Sequence, residues 1–134
     1  MHSRAFAAGF VLAVSTLSAG GCFLVAAGAG AAGAIAYTNR GATSVVAGNV
    51  TQVFDRSVTA FQQAGITETG RSTENSGEQR KLIGTKGEYE VTAELNRSTD
   101  STTKVEITAR KSAVEYDKEL AKDILNRILT TSDK

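Results

Sequence analysis

Two stretches of the chain alternate strictly between apolar and polar residues. From Glu88 to Asn96 (EYEVTAELN), Tyr89, Val91, Ala93 and Leu95 fall on one side, and Glu88, Glu90, Thr92, Glu94 and Asn96 on the other. From Lys104 to Arg110 (KVEITAR), Val105, Ile107 and Ala109 oppose Lys104, Glu106, Thr108 and Arg110. A period of two predicts half-buried strands with one wet face. The polar segment Arg97 to Thr103 (RSTDSTT) predicts an antiparallel hairpin between them. On the wet face Glu stands opposite Lys or Arg, an arrangement worth roughly 0.2–1 kcal/mol per pair.

Elsewhere the period lengthens to that of a helix. Val50, Val53, Phe54, Val58, Phe61 and Ala64 recur at helical spacing. Asn49 is a good N-cap, Gln52 completes a capping box three residues on, and Gly65 suits the left-handed position after the last turn. The spacing therefore predicts a helix over 50–64. A second begins after Asp117, with Leu120, Ile124 and Ile128 as one stripe and Ala121 and Leu125 beside it. Asp123 and Arg127 form a favourable i,i+4 pair on its outer face.

Weaker signals fill the gaps. Ala42 to Ala47 (ATSVVA) reads as a short strand. Ile66 to Thr69 starts another, which fades into the polar stretch Gly70 to Glu78 (GRSTENSGE). Gln79 to Lys86 is a weak strand, and Gly87 turns the chain. With one apolar stripe per helix and one apolar face per strand, the economical arrangement is a two-layer α+β sandwich. It has an antiparallel sheet of four or five strands and two helices on one face. Phe54, Phe61, Val91, Ile107, Ile124 and Ile128 are its expected common core.

The N-terminal third has a different pattern. No charge occurs between residues 5 and 37, a run long enough to span a bilayer if it stayed intact. Arg4, the apolar stretch Ala5 to Leu17 and the small residues after it have the layout of a secretory signal. The small residues end in the chain's single cysteine (Leu17-Ser18-Ala19-Gly20-Gly21-Cys22), which resembles the lipobox of bacterial lipoproteins, with Ala19 where Leu is usual. The resemblance implies cleavage before Cys22, a diacylglycerol on its sulfur and acylation of the new N-terminus. Each buried CH₂ of such an anchor contributes roughly 0.8 kcal/mol, so several chains hold firmly. Phe23 follows the cysteine where an Asp would be the usual inner-membrane retention signal. The expected address is thus the periplasmic face of the outer membrane. The implied organisation is a signal over 1–21, a lipid-anchored Gly/Ala tether and linker over 22–41, and the α+β domain over 42–134.

Two motifs in the tether invite other readings. Gly28-Ala-Gly30-Ala-Ala-Gly33 is a literal G-x-G-x-x-G, but a dinucleotide site needs a βαβ unit around it, and too little chain remains for a doubly wound domain. The small-x-x-x-small pairs Ala26/Gly30 and Ala29/Gly33 suit close helix approach in membranes. A Gly/Ala tether at the lipid surface accounts for both.

Composition removes several classes of chemistry. The only histidine is His2 and the only cysteine is Cys22. Past the signal, no Ser-His-Asp or Cys-His catalysis, no Cys/His zinc site and no stabilising disulfide can be built. No cofactor or metal is expected. The formal net charge of +1 falls to about zero once Arg4 is cleaved away, and no basic run stands out. Nucleic acid is not an expected partner.

With the lipobox, the Gly/Ala tract, VFDRSVTAFQQAGI and the terminal D-KELAKDILNRI in place, the chain resembles a family of small bacterial lipoproteins. Their domain is one of unknown function, catalogued under the number thirty-five sixty-eight. The resemblance implies no catalytic residues. The expected role is non-enzymatic: binding or scaffolding other envelope components from a lipid anchor at Cys22. The alternative is a small-ligand module with an apolar pocket lined by Phe54, Phe61, Tyr89 and Ile124. Glu90, Glu94 and Glu106 cluster on the strand faces and read as a solvated surface, since carboxylate catalysis would need a pair flanking a cleft.

Overall fold

Asn49 starts the first helix as its spacing predicts. Its side chain accepts from the Gln52 amide at 3.0 Å, and the Asn49 amide donates to Gln52 Oε1 at 3.1 Å. Two otherwise orphaned donors are satisfied at once. In the computed structural model, which describes residues 33–131, this helix (α1) spans Val50–Gln63. Gly65 follows its Ala64 cap with a φ of 72°, a conformation that favours glycine. The second helix (α2) spans Lys118–Thr130, and Asp117 Oδ1 accepts from the Leu120 amide at 2.9 Å.

The strands are β1 (Ala36–Tyr37), β2 (Gly41–Ala47), β3 (Thr67–Glu74), β4 (Gln79–Lys86), β5 (Tyr89–Thr99) and β6 (Thr102–Arg110). They form one sheet in the order β1-β2-β6-β5-β4-β3, antiparallel throughout. The α+β class agrees with the expectation from pattern, but the strand number does not: six strands replace four or five. The extra one, β1, lies in the segment read as tether. Residues Thr38 to Arg40, read as a linker, make the turn of a β1–β2 hairpin. Thr38 Oγ1 accepts from the amides of Arg40 and Gly41, and the Thr38 amide donates to the Gly41 carbonyl at 2.9 Å. Gly41 must be glycine, because a Cβ there would collide with the carbonyl of Ile107 on β6.

Two further corrections concern length. β3 does not fade at Gly70 but continues to Glu74, with a bulge between Glu68 and Gly70. It is an edge strand with every residue but Gly70 exposed, so no apolar alternation marks it. The segment Arg97 to Thr103, read as a loop, belongs mostly to β5 and β6, which pair up to Thr99↔Thr102 around a bulge. Only Asp100 and Ser101 make the turn.

Register places Ala42, Ser44 and Val46 on the same side as Val105 and Ile107, Val91, Ala93 and Leu95, and Leu82 and Gly84. Both helices cover that side. α1 lies over β4 and β5, α2 over β2 and β6, and the two helices touch. The six residues expected to share a core do so, all buried in one cluster. Gly84 lets this layer close up: a Cβ would stand 2.5 Å from Ile66 Cγ2 and 2.7 Å from the Thr67 carbonyl. The buried hydroxyls are all partnered, Ser57 to the Val53 carbonyl at 2.8 Å and Thr103 to the Gly48 carbonyl at 3.0 Å.

Candidate functional site

Cys22 lies outside the described residues. What the structure does place is the point at which the chain coming from it joins the fold. The Gly33 amide donates to the Val45 carbonyl at 3.1 Å, and Ser44 Oγ donates to the Ala34 carbonyl at 2.8 Å. Ile35 packs against the core. Tyr37 then crosses to α2, where its hydroxyl donates to Glu119 Oε1 at 2.9 Å and Lys122 Nζ sits 5.6 Å from its ring centre. The Lys122 ammonium is held above its ordinary pKa by its hydrogen bond and charge interaction with Tyr37, and then by Glu119. The segment just before residue 41 is thus bound at several points. A fragment starting at Arg40 loses all of them and leaves the β2 edge bare. It is expected to melt lower than one starting at Gly33 and to aggregate more readily. Thermal melting and light scattering of the two fragments check this.

Register also fixes which end of the sandwich receives the chain. Gly33 stands beside Val45, close to the N-cap of α1, the Asp100–Ser101 turn and the C-terminal turn of α2. The Gly48 amide donates to the Ser101 carbonyl at 2.8 Å, and a Cβ on Gly33 would stand 3.8 Å from Leu129. The turns at Thr38, Gly65 and Gly87 and the loop from Lys111 to Tyr116 lie at the opposite end. Covalent geometry lets the stretch from Cys22 to Ala32 reach roughly 40 Å at most.

The entry end carries a cleft of about 380 Å³ between Asn49–Gln52 of α1, Ser76–Glu78 of the β3–β4 turn and Arg97 of β5. Its charged side chains, Arg97 and Glu78, already pair with each other. Arg97 pairs with Asp100 and with Glu78 Oε1, the latter at 2.7 Å. Its hydrogen bonds to Asp100 first and Glu78 second hold its pKa above the usual value. At the helix start the Asn49/Gln52 box takes up the amides of Asn49 and Gln52.

The apolar pocket expected from Phe54, Phe61, Tyr89 and Ile124 takes a different form. Phe54, Phe61 and Ile124 belong to the one buried cluster, and Tyr89 sits half-buried near the β4–β5 turn. The strand carboxylates lie on the uncovered face. Glu94 pairs with Lys81 at 2.9 Å and Glu90 with Arg110 at 2.8 Å, while Glu106 stands opposite Glu94. Exposed pairs of this kind add little stability.

Sequence reasoning missed a cationic cluster on the helix side. Arg71 of β3 and Arg80 of β4 place their guanidinium carbons 5.5 and 5.1 Å from the centre of the Phe54 ring. Arg71 lay in the polar stretch into which a strand was expected to fade, and Arg80 in a strand without clear alternation. No signal in either segment joins them; the β3–β4 register and the overhang of α1 do.

Among the described residues no helix is long and apolar enough to cross a membrane. The fold and its entry point define a small antiparallel α+β sandwich with both helices on one face, joined at one end to the chain from Cys22. The chain belongs to the family described as "Protein of unknown function (DUF3568)", whose model matches residues 6–131. No curated protein matches it.

Proposed function

We propose that this is a lipid-anchored envelope lipoprotein, non-enzymatic, which displays its α+β domain to other envelope components from the periplasmic face of the outer membrane. The observation that carries the reading is the position of the lone Cys22. It follows an uncharged apolar run and a string of small residues, and stands eleven positions before Gly33, the first residue the structure describes. Absence of His and Cys past Cys22 leaves that domain without the usual nucleophile and base pairs. Burial of Phe54, Phe61 and Ile124 in one cluster with both helices and the sheet favours a scaffold over a module that swallows a small ligand.

A photo-crosslinking residue placed on the uncovered sheet face, at Thr92 or Thr108, tests the role in intact cells. A discrete crosslinked envelope protein, identified by mass spectrometry and lost with Cys22→Ser, is the expected result. Crosslinks that merely follow protein abundance, or that persist unchanged in the unanchored variant, would count against the reading.

A further inference from the structure

The sheet is wider than its helical cover. α1 lies over β4 and β5, so β3 runs out beyond its flank. Arg71 stands opposite Leu82, and Thr73 opposite Arg80. Arg71 and Arg80 are therefore diagonal neighbours on the helix side, at the foot of Phe54.

Their situations differ. Glu68 pairs with Arg71 through two hydrogen bonds, at 2.6 and 2.7 Å, and holds its pKa above the ordinary value. Among the described residues Arg80 has no such counter-ion. Its Nε is sealed from solvent without an acceptor, and among the described residues the Phe54 ring is the only recorded partner of its side chain. A half-buried guanidinium is a costly group to leave without an anion, and a ring face returns only part of its lost hydration. A second guanidinium against the same ring raises the local demand for negative charge.

We propose that Arg80, with Arg71 beside it, binds a phosphate-type oxyanion. Guanidinium forks match the geometry of phosphate oxygens, and a tetrahedral anion offers enough oxygens to engage two of them. Glu68 is its internal competitor, because it already holds Arg71; Asp55 adds a weaker negative field there. Two sources present this chemistry: soluble phosphate groups, and phospholipid headgroups. Arg80 is the second residue of β4, at the end of the sandwich where the chain from Cys22 enters. The proposal stands on the ring, the two cations and their pairing, and does not depend on lipidation.

The test uses the full chain in nonionic detergent, following arginine Nε–Hε resonances by NMR. Sodium phosphate is titrated against sodium chloride at equal ionic strength. A saturable, phosphate-specific shift at Arg80 and Arg71 is expected. Arg80→Gln should weaken it by about tenfold or more, and Glu68→Gln should tighten it several-fold by releasing Arg71. Arg110→Gln, on the opposite face, should leave it unchanged. If Arg80→Gln does not fold, Arg80→Lys is read instead; it keeps the charge but loses the fork, and should weaken binding several-fold. Equal shifts with chloride, or a folded Arg80 variant that titrates like the parent, overturn the proposal. Nanodiscs containing phosphatidylglycerol form the second arm. Matching shifts there that are lost in the Arg80 variant assign the site to headgroups. Shifts with inorganic phosphate alone assign it to soluble phosphate groups, and a response to neither overturns it.

Discussion

Cys22→Ser should abolish labelling by a fatty-acid analogue completely and leave a precursor that retains its N-terminal apolar run. The expectation follows from thioether chemistry. The sulfur is the atom that receives the diacylglycerol in the lipobox pattern, and a serine hydroxyl is a far weaker nucleophile at neutral pH because it stays protonated. If the lipid-modified cysteine is also the cleavage landmark, processing fails with it. Two or more acyl chains hold a protein firmly while one binds reversibly, so the anchored and unanchored forms should fractionate differently. Intact-protein mass and metabolic labelling read the outcome. Undiminished labelling of the serine variant would sink the lipidation assignment. The contacts that hold the described fold together all lie from Gly33 onward, so its melting should not change.

Phe61→Ala should cost about 3–5 kcal/mol, and Ile124→Ala about 2–5. Phe61 is 2% exposed on the inner side of α1, where it meets Gly84 and Ile66; Ile124 is fully buried on α2. Each belongs to the one cluster that joins both helices to the sheet. A domain of this size has about 5–15 kcal/mol of stability in all. Each kcal/mol is worth about 4–8 °C of melting temperature, so either variant should melt lower by roughly 10 °C or more. Val114→Ala is the control. Val114 is 89% exposed at the tip of the Lys111–Tyr116 loop, and its replacement should change stability by about 0.5 kcal/mol or less. A Phe61→Ala protein that melts with the control would refute the shared core.

Both helices and the two central strands were legible because their signals are local. Val91, Ala93, Leu95, Val105, Ile107 and Ala109 alternate with polar residues since one face of β5 and β6 is covered and the other is wet. Asn49, Gly65 and Asp117 announce helix ends through bonds and dihedrals within a few residues. Beyond Thr69 β3 announced nothing, because at the sheet edge every residue there but Gly70 is exposed and no apolar alternation marks it. β1 announced nothing either, since two residues cannot show a period and Ala36 continues a Gly/Ala run.

The chain by itself therefore determined the α+β class, both helices with their caps, the inward-facing residues and the single cysteine with its lipobox-like setting. Each depends on near neighbours along the sequence. Tertiary structure alone decided that residues 33–41 dock on β2 and α2 and that the sheet has six strands. It also decided that Arg71 and Arg80 meet on one aromatic ring. β1 is stable only because Val45, Ser44 and Glu119 lie ready to receive it. The two arginines are neighbours only because the β3–β4 register sets them diagonally beneath Phe54. Such contacts join residues far apart in sequence, and no local period records them.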